Sequence, residues 1–409
     1  MDQIGDASVQ WDPIAEDPNA GRRLRRIEPL ISTIRHGRLR IRLPNGRILA
    51  SSDAEAGLQA VLVIERWRAL RRLAFGGDVG FAEAYVDGDW TSPDPVALLR
   101  LAARNGERVY AAVRGSAIGR LASRLRHLLR DNTRRGSRRN IMTHYDLGND
   151  FYALWLDPAM QYSSAIWNAD TPDLEAAQAA KLDKIVDWLA LEGGERVLEI
   201  GCGWGALAAK LADVKAADVT ALTLSPAQLA HARTGAASSA SAQRVDFRLQ
   251  DYRDVQGRFD RIVSIEMIEA VGEARWPLYF RTLADSLAPG GRIVLQAITL
   301  DEALADGYRR NPDFIQTHIF PGGCLPTKSA LEAQIERAGL RLARRETFGA
   351  SYARTLAEWR RRFHARWPEA ERLGFDARFR RLWDYYLAYC EAGFAEGTID
   401  VGLMAIERR

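Results

Sequence analysis

The stretch Val197-Leu198-Glu199-Ile200-Gly201-Cys202-Gly203-Trp204-Gly205 joins an apolar run to a glycine-rich turn, and a helical pattern follows it. A strand that passes directly into such a turn leaves backbone N–H groups exposed at the start of a helix. A nucleotide-like ligand can approach closely there. The stretch therefore predicts an α/β fold with a ligand site at the turn. Taken alone, the same pattern also fits a tight turn in an α/β protein without that site.

Apolar runs and helical patterns alternate after residue 140, which predicts a parallel sheet with crossover helices. The predicted strands are 196–200, 219–224, 245–249, 261–265 and 292–297, and the predicted helices are 206–212, 226–236, 276–287 and 328–338. Ligands of such sheets bind beyond the carboxyl ends of the strands. We therefore expect Gly201, Ser225, Asp251 and residues 266–269 to lie along one edge.

Changes of pattern divide the chain into four parts. Residues 1–24 carry acids, Gly and Pro without periodicity, which predicts a flexible N-terminus. Residues 25–113 combine strand-like alternation with helical patterns, which predicts a smaller N-terminal mixed α/β domain. Residues 114–140 are an arginine-rich linker, and residues 141–409 hold the alternating strands and helices.

The linker has the pattern of a basic amphipathic helix. Between residues 114 and 139, nine arginines (114, 120, 124, 126, 130, 134, 135, 138 and 139) accompany the single acid Asp131. Ile118, Leu121, Leu125 and neighbouring leucines fall on one side of that helix. It fits an anionic membrane surface, or equally a helix packed on a neighbouring domain. We expect no nucleic-acid partner, because no aromatic residues for base stacking lie between the arginines.

The composition favours a soluble, cytoplasmic protein. No apolar run approaches the length of a transmembrane helix, and the polar N-terminus does not resemble a signal peptide. The 3 cysteines have no paired spacing, so we expect no disulfide framework and no metal site.

The glycine turn resembles motif I of S-adenosylmethionine (SAM)-dependent methyltransferases, because Glu199 stands two residues before a G-x-G-x-G run. Further motifs resemble those of cyclopropane-fatty-acyl-phospholipid synthases: THYDLGNDFY (143–152), LDP (156–158), MQYSSA (160–165), LQDYRD (249–254), SIEMIEAVG (264–272), DFIQ (313–316) and IFPGGCLP (319–326). The resemblance spans essentially the whole chain. It implies a Rossmann-like class I methyltransferase sheet in residues 141–409 and a lipid-interacting domain in residues 25–113.

The family transfers the SAM methyl group to the cis double bond of an unsaturated acyl chain in a membrane phospholipid. The resemblance therefore implies SAM as cosubstrate, a phospholipid in an anionic membrane as partner, and a peripheral location at the inner membrane surface. An alkene is a weak nucleophile, so the reaction builds a carbocation that must be shielded from water and then lose a proton.

The sequence leaves the product, the oligomeric state and one alternative function open. The product can be a cyclopropane, or a methylene branch that a partner reductase saturates, and a homodimer is also open. A non-catalytic SAM- and lipid-binding protein is the alternative of another class. Intact Gly201, Gly203, Glu269 and Tyr352 disfavour it.

The resemblance also implies the catalytic residues. In the family a bicarbonate, held by a Cys, a Glu, a His, an Ile backbone and a Tyr, takes the proton. The matching residues here are Glu269, Ile298 and Tyr352, with Ser164 in place of the Cys and Gln296 in place of the His. Serine and glutamine can still hydrogen-bond an anion, so a retained bicarbonate is open.

Two more candidate catalytic residues are Glu266 and Tyr145. Glu266 stands where the commoner family pattern has Gly, and we count it as a candidate catalytic residue. Tyr145 resembles a family tyrosine that orients the catalytic Glu. Both glutamates also fit the alternative of a carboxylate at a helix start, Glu266 better than Glu269.

The Gln296 pattern resembles a second branch of the family. That branch includes plant cyclopropane synthases and bacterial enzymes that make methylene- or methyl-branched fatty acids.

The residues that the resemblance implies for SAM follow the chain from the first strand to the third. They are Glu199, Gly201, Gly203 and Gly205 at the turn, Tyr162 and Ser163 at the methionine end, Thr223, Ser225 and Gln228 after the second strand, and Asp251 and Tyr252 at the adenine side. Simpler alternatives are a helix cap for Ser225 and a loop turn for Asp251.

Overall fold

The computed structural model describes residues 31–51, 57–106, 109, 147–236 and 242–409. The chain divides into two compact units, Met1–Gly119 and Arg120–Arg409. The predicted flexible N-terminus, the arginine-rich linker and Tyr145 lie outside the described residues.

The described residues of the first unit form a small mixed sheet and the helices that pack with it. Its elements are β1 (Arg38–Arg42), β2 (Ile48–Ala50), β3 (Gln59–Ile64), α1 (Arg68–Val86), β4 (Trp90–Thr91) and α2 (Pro95–Arg104), and the strand order is β2-β1-β3-β4. Leu39 and Ile41 alternate with arginines along β1 and are buried, as period-2 patterning requires of a half-buried strand. Asp89 is fully buried and accepts hydrogen bonds from Arg68 at 2.7 and 2.9 Å. The buried charge is thereby paired.

The second unit is built on a sheet of seven strands. The strands are β5 (Arg196–Ile200), β6 (Asp218–Thr223), β7 (Val245–Leu249), β8 (Phe259–Ile265), β9 (Leu287–Leu300), β10 (Leu340–Thr347) and β11 (Ile399–Arg408), in the order β10-β11-β9-β8-β5-β6-β7. Strands β5 to β9 are parallel, and β11 pairs antiparallel with both β9 and β10. This is the sheet of a Rossmann-like class I methyltransferase, so the predicted fold class is confirmed.

Helices cover the sheet and extend beyond it. They are α3 (Asn149–Ala153), α4 (Leu174–Leu189), α5 (Ala206–Lys215), α6 (Pro226–Ala236), α7 (Trp276–Ser286), α8 (Ala305–Arg310), α9 (Lys328–Arg337), α10 (Gly349–Ala365), α11 (Trp367–Arg372) and α12 (Ala377–Ala395). Several of these helices have a side-chain cap at the N-terminus. Asp173 accepts a hydrogen bond from the third residue of α4, and Asp376 does the same for α12. Such caps satisfy N–H groups that have no partner within the helix.

Both faces of the sheet are buried in apolar clusters. Along β9, Ile293 and Leu295 belong to the cluster on one face, whereas Val294 belongs to the cluster on the other. Parallel strands covered by helices on both sides are apolar along their whole length, which explains the near-continuous apolar runs of the sequence.

The C-terminal helices form an aromatic layer with the segment around α3. Trp359 and Trp383 are buried, and both contact Trp155, with ring centroids 5.6 and 5.9 Å apart. Most of the aromatic residues in this region are buried in the core. Within the described ranges, no helix is long and apolar enough to cross a bilayer.

Candidate active site

The predicted functional residues gather at one edge of the seven-stranded sheet. Because β5 to β8 are parallel, their carboxyl ends meet there. Gly201 directly follows β5, Asp251 comes shortly after β7, and Glu266 directly follows β8. The predicted placement at one edge is confirmed.

Three glycines after β5 take backbone conformations that other residues rarely adopt. The φ angles of Gly201, Gly203 and Gly205 are 84, 52 and 93°. A Cβ atom on Gly201 would lie 2.6 Å from Cγ of Met267, and one on Gly205 would lie 2.9 Å from the Cβ of Ala232. A Cβ on Gly203 would meet no protein atom within 4 Å. Gly205 is thus explained by packing, while the backbone at Gly203 faces open space that a ligand can enter.

Glu199 lies buried at the end of β5, beside the turn. Burial raises the pKa of this carboxyl to about 8, against the charge of Lys181 and a hydrogen bond from the backbone of Ala208. Its Oε2 atom is buried and has no hydrogen-bond partner among the described residues. A buried oxygen without a partner is costly, and a donor on a bound ligand would satisfy it.

The glycine turn and Glu199 therefore fit SAM. The open space at Gly203 gives room for close backbone approach, and the free oxygen of Glu199 can accept from an amine or a hydroxyl group of the ligand. When bound, SAM supplies an electrophilic methyl group on a sulfonium ion.

The residues predicted for SAM after β6 and β7 make local contacts. Oγ1 of Thr223 donates to Gln228 at 2.8 Å, and Oγ of Ser225 accepts from the backbone N–H of Gln228 at 3.3 Å. Asp251 accepts from the backbone N–H of Arg253 at 3.0 Å and from its guanidinium group at 2.8 and 2.6 Å. These contacts fit the helix-cap alternative for Ser225 and the loop-turn alternative for Asp251.

Tyr252 is buried beside that turn, and burial raises the pKa of its hydroxyl group to about 12. Its role toward SAM, like those of Thr223, Ser225, Gln228 and Asp251, stays a prediction.

Glu266 is held by three donors from separate parts of the chain. Its Oε1 accepts from the backbone N–H of Ser164 at 2.8 Å and from Nε2 of Gln296 at 2.7 Å. Its Oε2 accepts from the hydroxyl group of Tyr352 at 2.8 Å. The alternative of a helix-start carboxylate is wrong for Glu266, because this side chain joins the loop before α4, strand β9 and helix α10.

Glu269 lies in the short helical turn Ile268–Ala270. Its Oε1 accepts from the backbone N–H of Ile298 at 2.6 Å, and its buried Oε2 has no hydrogen-bond partner among the described residues. Burial raises the pKa of Glu269 to about 8, and the neighbouring charge of Glu266 acts in the same direction. Burial also raises the pKa of Glu266, but its three donors oppose that effect. Three donors thus favour the charged form of Glu266, whereas Glu269 has one.

These contacts do not fit a bicarbonate held as the resemblance implies. Ser164, Gln296 and Tyr352 direct their donors at Glu266, and the N–H of Ile298 is directed at Glu269. The hydroxyl group of Ser164 donates instead to the carbonyl oxygen of Ala165 at 2.9 Å. The donors expected for the anion are thus already engaged by side chains of the protein.

Sequence reasoning missed Lys181, which is buried beneath the site. Its Nζ donates to Oγ of Ser163 at 2.7 Å, while Gln178 on the same helix donates to the carbonyl oxygen of Ser163 at 3.0 Å. Burial lowers the pKa of Lys181 to about 8, although the charges of Glu266 and other carboxylates oppose the shift. One signal was available, because Lys181 stands at helical spacing with the apolar residues of α4.

An aromatic wall is formed by the rings of Tyr162, Trp359 and Tyr352. The ring centroid of Trp359 lies 5.5 Å from that of Tyr162 and 6.0 Å from that of Tyr352. The hydroxyl group of Tyr162 is 2.7 Å from that of Tyr386 in α12, a contact that was not predicted from the sequence. Aromatic faces stabilise a nearby cation and exclude water.

Comparison with known proteins agrees with this geometry. The profile of the mycolic acid cyclopropane synthetase family matches residues 132–404. The chain is 37% identical to the tuberculostearic acid methyltransferase UfaA1 of Mycobacterium tuberculosis, over 96% of this chain and 94% of that protein. It is 35% identical to the cyclopropane-fatty-acyl-phospholipid synthase of Escherichia coli, over 83% of this chain and 85% of that protein.

The chain also resembles solved structures of cyclopropane synthases. The cyclopropane synthase MmaA2 of Mycobacterium tuberculosis superimposes with a TM-score of 0.63 and 32% identity, covering 66% of this chain and 98% of that one. The mycolic acid cyclopropane synthase CmaA1, solved in complex with SAH and CTAB, superimposes with a TM-score of 0.62 and 30% identity over the same shares. SAM is accordingly the cosubstrate. The chain belongs to the mycolic acid cyclopropane synthetase family and is a SAM-dependent C-methyltransferase.

Proposed function

We propose that this enzyme transfers the methyl group of SAM to the cis double bond of unsaturated acyl chains in membrane phospholipids and forms a cyclopropane ring. The observation that carries the proposal is the pair of carboxyl groups, Glu266 and Glu269, at the sheet edge that holds the glycine turn. The aromatic wall around Tyr162 gives this edge the apolar surroundings that an acyl chain needs. Relatives act on fatty acyl chains, and the Escherichia coli relative is named for a phospholipid substrate.

The chemistry explains this combination of residues. A new C–C bond forms from the alkene π electrons as the C–S bond to the methyl group breaks, which leaves a carbocation on the neighbouring carbon. The faces of Tyr162, Trp359 and Tyr352 stabilise that charge and keep water away. A carboxylate nearby stabilises the cation further, because charges interact strongly in a site without water.

A branched product is the second candidate. In this outcome a hydride moves from the methylated carbon to the cationic carbon, and the new methyl group then loses a proton to give a methylene branch, which a partner reductase would saturate. The relative that matches over 96% of this chain is named a tuberculostearic acid methyltransferase, and this favours the candidate. A non-catalytic lipid-binding protein is disfavoured, since both glutamates and the glycine turn are intact.

The substrate is tested by incubating the enzyme with methyl-labelled SAM and vesicles of a phosphatidylglycerol that carries cis-monounsaturated chains. We expect label in the acyl chains and a mass increase of one CH2 per modified double bond. Vesicles with fully saturated chains are the control and should take up no label. Mass spectrometry after ring-opening chemistry distinguishes a cyclopropane from a branch. Label in neither acyl product would contradict the proposal.

Access to the membrane completes the proposal. A cytoplasmic enzyme must dock on the inner membrane surface to reach an acyl chain, and we assign docking to residues 25–113 together with the arginine-rich linker. Each arginine near an anionic surface contributes roughly 1 kcal/mol of attraction.

Replacing Arg120, Arg124 and Arg130 by Gln is therefore expected to weaken co-sedimentation with anionic liposomes by at least about tenfold, with SAM affinity unchanged. The matched control replaces three exposed arginines of the second unit, Arg258, Arg337 and Arg372, with the same loss of charge. Equal binding by the two triple variants would remove the linker from the docking surface.

A further inference from the structure

The three donors around Glu266 come from residues that the family resemblance assigns to bicarbonate. The backbone at Ser164, the side chain of Gln296 and the hydroxyl group of Tyr352 all donate to this one carboxylate. The group that these donors contact is thus a side chain of the protein itself. We propose that the carboxylate of Glu266 replaces bicarbonate as the base that takes the proton from the transferred methyl group. This inference rests on the proposed function.

The backbone at Glu266 supports the replacement. Its φ angle is 50°, in the left-handed region that glycine adopts readily and other residues adopt at a cost. The commoner family pattern has glycine at this position. Here the N–H of Glu266 donates to the carbonyl oxygen of Gln296 at 2.9 Å, and the three donors to its side chain add to that bond. The structure therefore holds Glu266 in an unfavourable conformation that places its carboxylate among those donors.

The two glutamates differ in the way that separate roles require. Three donors favour the charged form of Glu266, which can then accept a proton. Glu269 has a single donor, from Ile298, and an oxygen without a partner among the described residues. The Oε2 atom of Glu269 is thus available to stabilise the sulfonium ion of SAM and the carbocation.

The proton-transfer step balances. One C–H bond of the transferred methyl group breaks, and its proton moves to a carboxylate oxygen of Glu266. The electron pair of that bond closes the cyclopropane ring onto the cationic carbon. In the branched outcome, a hydride first moves with its electron pair from the methylated carbon to the cationic carbon. The cation then lies on the methylated carbon, and the pair of the broken methyl C–H bond forms the methylene double bond. Glu266 returns its proton to water after the product leaves.

A direct test compares turnover in buffer with bicarbonate and in buffer stripped of it under argon. We expect the unmodified enzyme to work equally well in both. Glu266→Gln keeps the shape of the side chain but removes the base, and should lower turnover by roughly 100- to 10,000-fold with SAM affinity unchanged. The control Glu273→Gln removes an exposed carboxylate of the same loop, paired with Arg309 at 3.0 Å, and should leave turnover unchanged.

The sharpest test is Glu266→Gly. Glycine suits the φ angle at this position, so the variant should fold, and it frees the three donors for an external anion. We expect this variant to turn over weakly without bicarbonate. Added bicarbonate should raise its turnover by at least about tenfold, because the bound anion then acts as the base. We also expect 13C-labelled bicarbonate to bind this variant, but not the unmodified protein, in an NMR titration.

The outcomes separate this inference from the proposed function. Loss of activity when bicarbonate is removed from the unmodified enzyme, or near-normal turnover of Glu266→Gln, would overturn it. So would bicarbonate binding to the unmodified protein in the NMR titration, which needs no lipid substrate. Absence of methyl transfer to any unsaturated phospholipid would defeat the proposed function alone, because the titration still reports on the anion site.

Discussion

Valine in place of Gly201 is expected to abolish SAM binding and, with it, methyl transfer. The φ angle of Gly201 is 84°, which a β-branched residue does not tolerate, and a Cβ atom there would lie 2.6 Å from Cγ of Met267. Met267 stands between Glu266 and Glu269, so its displacement would also disturb the two carboxyl groups. Isothermal titration calorimetry with SAM measures the effect.

The control for backbone strain is Gly257→Val. Gly257 has a φ angle of 91°, and a Cβ atom there would meet nothing within 4 Å, so the variant carries similar strain away from the site. We expect it to bind SAM normally. A folded Gly201→Val protein with unchanged SAM affinity would remove the turn from the cofactor site.

Glu269→Gln is expected to lower turnover by about 100-fold or more while SAM still binds. Burial raises the pKa of Glu269 to about 8, but a sulfonium ion or carbocation beside its Oε2 atom favours the charged carboxylate. Glutamine keeps the acceptor for the N–H of Ile298 and removes that charge. Single-turnover rates at saturating SAM measure the effect. Near-normal rates would show that Glu269 acts only as a neutral group that holds β9.

The dependence of stability on pH checks the protonation state independently. The pKa of Glu269 rises on folding from 4.5 to about 8, so its contribution to stability is complete below the unfolded value and is lost as the pH rises toward 8. The slope is at most roughly 1.4 kcal/mol per pH unit for one such group. Glu269→Gln should therefore flatten the fall in Tm across this range. Some slope should remain, because Glu199 shifts in the same direction.

Much of the fold could be predicted from the sequence, because β5, β6, β8 and the second half of β9 contain apolar runs, and helical patterns lie between most of the strands. Strands β10 and β11 were not predicted. β10 carries four polar or charged residues in succession near its end and lies at the edge of the sheet, so it lacks the apolar pattern of a central strand. The apolar run of β11 follows a long helical stretch, and nothing local indicates that it inserts between β9 and β10.

The candidate site was predicted by residue but not by contact. Motif resemblance placed Ser164, Gln296, Glu269 and Tyr352 in one constellation, and the sheet edge follows from parallel strands. The position of the Glu266 carboxylate depends on a left-handed backbone that residue type argues against. Lys181 was missed because a lysine in a helix is ordinarily solvated, whereas here Ser163 and the carboxylates around it offset the cost of burial.

The pairing of β11 with β9 links the catalytic site to a strand that lies far from it in sequence. Strand β9 holds both Gln296 and Ile298, and these residues lie opposite Leu403 and Val401 of β11. The geometry that positions the two glutamates therefore depends on a segment distant in sequence, and such long-range pairings form slowly. Substitutions in β11 should accordingly reduce the fraction of molecules that become active rather than the rate of each active molecule.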